Sequence, residues 1–314
     1  MTRDRILVGT RSSKLALWQA EYIRDCLQKR YPSMRVETRL MTTKGDKILD
    51  VPLAKIGGKG LFTKELEQAM LSGAVDIAVH SLKDMPTEIP AGLTLAAITE
   101  RADVGDALVS PVYKTFDALP QGARIGTSSL RRKAQLLHAR PDLEVVSLRG
   151  NVQTRLRKLE EEHLDGVILA VAGLKRLGLG ERITEELPQS LCLPAVGQGA
   201  LAIESRADDA ELLELLAFLN DDATCCCARA ERAFLARVEG GCQVPVGVYA
   251  SAAGTGRLRV EAVIASLDGQ RLYRDAAEGA DADAERLGRS LAEELLAAGG
   301  IDVLHELGLL LDTK

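Results

Sequence analysis

One short pattern occurs twice in this chain. Val8-Gly9-Thr10-Arg11-Ser12-Ser13-Lys14 is echoed by Ile125-Gly126-Thr127-Ser128-Ser129-Leu130-Arg131, each an apolar run passing through Gly-Thr to a serine placed to cap a helix. A second echo pairs Asp76-Ile77-Ala78-Val79, running on to Lys83, with Asp165-Gly166-Val167-Ile168-Leu169-Ala170, running on to Lys175. Repetition of a strand, a glycine turn and a capped helix predicts two related α/β halves with a cleft between them. Each Gly-Thr turn would aim helix N-terminal amides, backed by Arg11 or by Arg131 and Arg132, at carboxylate or phosphate. These residues alone leave the choice of anion open.

The rest of the first two thirds fits that frame. Strands are expected at 5–9, 35–42, 76–81, 93–98, 106–110, 124–126, 144–148, 166–170 and 200–204. Helical periodicity falls between them at 13–30, 61–72, 129–139, 152–163 and 209–219. From 243 the pattern changes to three successive alternating runs, 243–251, 257–265 and 271–278, and then an Ala/Leu-rich helix from about 283. That reads as a smaller α+β domain with a three-stranded antiparallel sheet.

Charge and composition narrow the function. The formal net charge is −5 and aromatic residues make up 3% of the chain, which disfavours polyanion binding and base stacking. No apolar run approaches a membrane span, and the short Ile6-Leu7-Val8 run is too brief for a secretory signal, so a cytoplasmic protein is expected. Acidity belongs to residues 218–314, with 16 Asp+Glu against 10 Lys+Arg. Within 124–158, nine basic residues face only Asp142 and Glu144, the pattern of a local anion site.

Several motifs mislead. The segment 43–60 contains Gly-Gly-Lys-Gly but not the spacing of a P-loop, and its length suggests a lid. Gly197-Gln198-Gly199-Ala200-Leu201-Ala202 matches a dinucleotide fingerprint in letters but leads into a strand. Cys225-Cys226-Cys227 cannot converge on one ion from a helix, since successive side chains splay apart, and no metal site is expected.

Two places could carry chemistry. His80-Ser81-Leu82-Lys83-Asp84-Met85-Pro86 closes an apolar strand, where open α/β sheets place ligand groups, and Asp84 is either a turn cap or a catalytic carboxylate. His80 reads as a packed core histidine. Cys242 sits in Glu239-Gly240-Gly241-Cys242-Gln243-Val244-Pro245, where flanking glycines give a bulky adduct room, but no histidine lies nearby to serve as its base.

Taken together, VGTRSSKLALWQA, KGLFTKELE, DIAVHSLKDMPTE, RIGTSSLRRKAQL, LRGNVQTRLRKL, PAVGQGALAIE and ERAFLARVEGGCQVPVG resemble the porphobilinogen deaminases, or hydroxymethylbilane synthases, over nearly the whole chain. The resemblance implies a monomeric transferase of tetrapyrrole and heme biosynthesis in three domains. Two, 1–99 with 200–218 and 100–199, would be like periplasmic binding proteins; the third would be 219–314. It further implies a dipyrromethane cofactor joined to Cys242 through a thioether. Onto this cofactor four porphobilinogens are added with loss of ammonia, before hydrolysis frees hydroxymethylbilane.

By match to the family's motifs, Lys83, Thr127, Ser129, Arg131 and Arg132 would hold the cofactor carboxylates. Arg11, Ser13, Arg149, Arg155 and Arg176 would serve the incoming substrate and growing chain, and Asp84 would assist loss of the amine. Departures such as Cys225–Cys227 touch none of these positions. A non-catalytic two-lobed carboxylate-binding or sensor protein would explain the echo and the arginines but would have no use for Cys242.

Overall fold

A computed structural model describes residues 3–43, 45, 63–238 and 244–308. Most of the 43–60 loop, and Cys242 itself, lie outside the described residues.

The chain opens with strand β1 (Arg5–Arg11), helix α1 (Lys14–Arg30), β2 (Arg35–Met41), α2 (Lys64–Leu71), β3 (Ile77–Ser81) and β4 (Leu93–Ile98). It continues through β5 (Asp106–Val109), β6 (Arg124–Gly126), α3 (Leu130–Ala139), β7 (Glu144–Val146), α4 (Val152–Glu161), β8 (Gly166–Ala170), α5 (Val171–Arg176) and β9 (Glu185–Glu186). Then follow β10 (Leu201–Arg206), α6 (Ala210–Leu216), α7 (Asp222–Arg237), β11 (Val246–Ala252), β12 (Arg257–Ala265), β13 (Leu272–Ala280), α8 (Ala284–Leu295) and α9 (Ile301–Glu306).

Contacts divide the chain into two units: residues up to 102 with 199–225, and 103–198 with 226 onward. The first unit holds a five-stranded sheet in the order β2-β1-β3-β10-β4, and the second holds one in the order β7-β6-β8-β5-β9. The two orders are the same arrangement. In each, the first strand runs parallel to the second and third. The fourth position goes to an antiparallel strand that the chain supplies on its return from the other unit (β10) or on its entry (β5).

The repeated sequence does repeated physical work. Asp76 accepts a hydrogen bond from the Leu7 backbone N–H at 2.8 Å, and its echo Asp165 accepts one from the Arg124 N–H at 2.7 Å. Each acid therefore ties its third strand to its first. The glycines are required by close approach: a Cβ on Gly9 would meet Leu66 at 3.0 Å, and one on Gly126 would meet Leu148 and Leu164 at 2.9 Å. Ser13 and Ser129 accept hydrogen bonds from the Ala16 and Arg132 amides, capping α1 and α3.

Both sheets are covered on both faces. In the first unit, Ile6, Val8, Ile77 and Ile203 pack under Ile23 and Leu27 of α1 and Leu212 and Leu216 of α6, while Leu66 and Met70 of α2 cover the other face. In the second, Leu156 and Leu159 of α4 lie on one face and Leu136 of α3 on the other. The second unit also contains the antiparallel sheet β11-β12-β13, whose own core joins Val248 and Val260 to Phe234 of α7 and Leu291 of α8. Among the described residues, no helix is long and apolar enough to cross a membrane.

Candidate active site

In the first unit the site is built where two strands end. β1 delivers Arg11 and the capping Ser13. β3 is buried along Ile77–His80 and then breaks at Leu82–Asp84 into a single 3₁₀ turn. The Leu82 N–H donates to the Ala200 carbonyl at 3.0 Å and the Met85 N–H to the Leu82 carbonyl at 3.1 Å, so the turn is pinned on both sides before Pro86 forbids continuation. Asp84 is thereby left exposed, with Lys83 half-buried beside it.

Arg11, Ser13, Gln19, His80, Ser81 and Asp84 line one cavity, closed in part by Thr63 at the start of α2. Buried Gln19 donates from Nε2 to the Ser81 hydroxyl at 2.8 Å, fixing both polar groups. Sequence reasoning had picked out Arg11, Ser13 and Asp84. It missed Gln19, which reads as one more polar residue of α1 until the fold turns it inward. A guanidinium and a carboxylate on one small cavity suit a ligand with an acid group and a cationic or N–H group.

In the second unit, α3 begins with Thr127, whose hydroxyl accepts from the Ser129 N–H at 3.2 Å, and with the Ser129 cap. The next two side chains turn into the protein. Arg131 Nη1 donates to Asp106 Oδ2 at 2.7 Å and to the Leu193 carbonyl at 2.6 Å. Arg132 donates from Nη2 to Asp106 Oδ1 at 2.6 Å and from Nη1 to the Ile168 carbonyl at 2.9 Å. Gln198 Nε2 donates to the same Oδ1 at 2.9 Å. Burial would raise the Asp106 carboxyl, but the two guanidiniums outweigh it and hold the group well below the usual carboxylate range.

The charges in this buried network do not balance. Two guanidiniums share one carboxylate, and the neighbouring Cys192 thiol, pushed up to about 12 by burial first and then by Asp106, stays neutral. Arg132 Nε is buried with no hydrogen-bond partner. The excess positive charge and the orphan donor fit an anionic group bound at this helix start. Sequence reasoning singled out both arginines but not Asp106, which comes to them from β5, one strand beyond β8 in the sheet.

The remaining basic residues of 124–158 are not one patch. Arg155 Nε donates to the Gly150 carbonyl at 2.9 Å, holding the loop that presents half-buried Arg149 ahead of α4. Arg124, Arg140, Arg157 and Lys158 instead pair with Glu144, Asp142, Glu161 and Glu162. Arg176 is half-buried in the last turn of α5.

Residues 6–214 match the family model described as "Porphobilinogen deaminase, dipyromethane cofactor binding domain", and residues 225–297 match "Porphobilinogen deaminase, C-terminal domain". Among solved structures, a putative methionine-binding lipoprotein from Bacillus subtilis superposes with a TM-score of 0.43 at 14% identity, covering 70% of this chain and 92% of that one. The porphobilinogen deaminase of Geobacter sulfurreducens is 56% identical over 306 residues, 98% of this chain and 96% of the relative. That of Pelobacter propionicus is 55% identical over 306 residues, 98% of each. With family models matching most of its length and relatives more than half identical across it, the chain belongs to the porphobilinogen deaminase family.

Proposed function

We infer that Asp84 is the catalytic carboxylate of a chain that condenses four porphobilinogen molecules, one at a time and with loss of ammonia, and frees hydroxymethylbilane by hydrolysis. The observation that carries this is the shared cavity of Arg11, Ser13 and Asp84 at the pinned end of β3. Porphobilinogen bears an acetate, a propionate, a pyrrole N–H and an aminomethyl group. Arg11 and the Ser13 hydroxyl supply the cation and donor for a carboxylate. Asp84 accepts from N–H groups and offers a fixed negative charge as the departing amine leaves positive charge behind. Arg149, Arg155 and Arg176 would hold carboxylates of the lengthening product.

Lys83, Thr127, Ser129, Arg131 and Arg132 would hold the acid groups of a dipyrromethane joined to Cys242, for which the unbalanced charge around Asp106 is the supporting feature. When bound, the dipyrromethane supplies the free pyrrole carbon to which new units are joined. The reading carries with it a three-domain, monomeric, cytoplasmic enzyme whose partner is its small-molecule substrate, with no nucleic acid or membrane ligand. The separate cores of the 100–199 and 219–314 sheets support dividing the second unit in two.

Intact mass tests the reading directly. Purified protein should be heavier than its sequence by one linear dipyrrole and should lengthen in pyrrole steps when given substrate. A protein at bare sequence mass that binds porphobilinogen without turnover would instead be the two-lobed binding module.

The arginines should separate assembly from elongation. Arg131→Leu or Arg132→Leu should leave folded but largely cofactor-free, inactive protein, each lost charge-assisted contact costing about 1.5–3 kcal/mol. Arg176→Leu should keep the cofactor and accumulate partly elongated species by mass. Circular dichroism separates loss of cofactor from loss of fold. Normal cofactor content and turnover in all three variants would overturn these roles.

A further inference from the structure

Behind the Asp84 cavity lies a buried ionisable cluster with no place in the reaction as described. Glu204 of β10 is fully buried, and its Oε2 lies 3.2 Å from His80 Nε2 while its Oε1 has no partner. His80 is 6% exposed and lines the cavity. Glu67 of α2 is also buried, with Oε1 unpartnered, and is close enough to feel both. Burial, and then the Glu204 charge, push the Glu67 carboxyl above its ordinary value against the Thr63 hydroxyl and His80. Buried carboxylates with orphan oxygens are costly, so a fold keeps them only for a reason or because it cannot do without them.

The second sheet shows that this fold can do without them. Gly9 pairs with Ala78 as Gly126 pairs with Val167, and the antiparallel neighbour sets Ala202 against His80 as it sets Ala107 against Leu169. The same register makes Val109 the counterpart of Glu204. Where the first unit has His80 and Glu204, the second has Leu169 and Val109 in an apolar core. The ionisable pair is present only in the unit that carries Asp84; the counterpart of Asp84, counting along the strand, is Gly173.

We propose that His80, clamped by Glu204 with Glu67 behind it, is a positioning residue of the Asp84 cavity, fixing the end of the strand from which Asp84 is presented. Around it are Glu204 from β10 and Glu67 from α2, with Arg11 and Asp84 on the same cavity; β4 contributes no charged residue. The clamp holds the last residues of β3 before the turn that presents Asp84. This rests on the Asp84 reading.

The test is to give the first unit the second unit's pair, His80→Leu with Glu204→Val, and separately to make Glu204→Gln. The double variant should melt no lower than wild type, since an apolar pair in place of a buried ionic one is often neutral or stabilising. It should also carry the dipyrrole mass. Its kcat should fall about ten- to a hundredfold with KM moving far less, the scale expected when a supporting contact misplaces a catalytic group. Adding Asp84→Asn to either variant should cost less rate than it costs in wild type, because a carboxylate already misplaced has less to lose. Glu204→Gln, which keeps the shape but weakens the clamp, should show the same fall in kcat with KM moving far less.

Wild-type kcat in folded variants, or a lower kcat on which Asp84→Asn has its full wild-type effect, would overturn the proposal. If the double variant does not fold, Glu204→Gln decides alone, and if neither folds the cluster is structural and the proposal falls. The Asp84 reading fails separately, if Asp84→Asn turns over normally whatever these variants do.

Discussion

Cys242→Ala should yield a folded protein at its bare sequence mass with no measurable turnover. The cysteine sits in the family's Glu-Gly-Gly-Cys-Gln-Val-Pro stretch, with glycines on its N-terminal side that leave room for a bulky adduct. The other five offer poor substitutes. Cys192 is fully buried, and with its thiol pushed up to about 12 it supplies no useful thiolate at neutral pH. Cys227 is buried in the core beneath the β11-β12-β13 sheet, beside half-buried Cys226, whose Sγ donates to the Asp281 carbonyl at 3.4 Å. Cys26 is half-buried on α1 and Cys225 on α7, away from any glycine-rich turn. The variant should therefore be unable to shift its cofactor to another thiol. Peptide mapping of wild type should find the dipyrrole on the 242 peptide alone. A dipyrrole on Cys242→Ala, or on Cys225–Cys227 in wild type, would refute the assignment.

What could be read from the sequence followed from local chemistry. The echoed Gly-Thr-Ser turns were visible because each is a short contiguous pattern, although the contacts that demand glycine come from distant residues, Leu66 on Gly9 and Leu164 on Gly126. The β11-β12-β13 sheet was visible because its strands are consecutive in the chain and joined by short turns. Short elements escaped: α5 has one and a half turns and β9 two residues, too few for a period to show. Partners distant in sequence escaped too. Asp106 reaches Arg131 and Arg132 only because β5 enters the second sheet antiparallel, next to β8. Likewise His80 meets Glu204 only because β10 returns from the other unit to pair with β3. In both cases the sequence offers the charged residue but not the topology that pairs it. Arg11, Ser13 and Asp84 lie around one cavity as their motifs suggested, since each sits at a strand end and strand ends gather where parallel strands stop.

That gathering makes Asp84 the cavity residue whose loss should cost the most rate without costing the fold or the cofactor. It is exposed, at the end of a 3₁₀ turn whose backbone is held by Leu82 and Met85 and not by its carboxylate. Asp84→Asn should accordingly fold, keep its melting temperature and retain the dipyrrole. Asparagine can still accept a hydrogen bond from an N–H, so substrate affinity should change little. What it cannot supply is a negative charge as the amine departs, and removing one such electrostatic stabiliser typically costs about 10²–10³ in rate. Asp84→Glu keeps the charge but moves it by one methylene, so it should keep measurable activity, reduced because small displacements of a catalytic group are expensive. Single-turnover ammonia release from cofactor-loaded protein isolates this step from product release. Asp84→Asn releasing ammonia at the wild-type rate would return Asp84 to the role of a turn residue, and the cavity of Arg11 and Ser13 to that of a binding site alone.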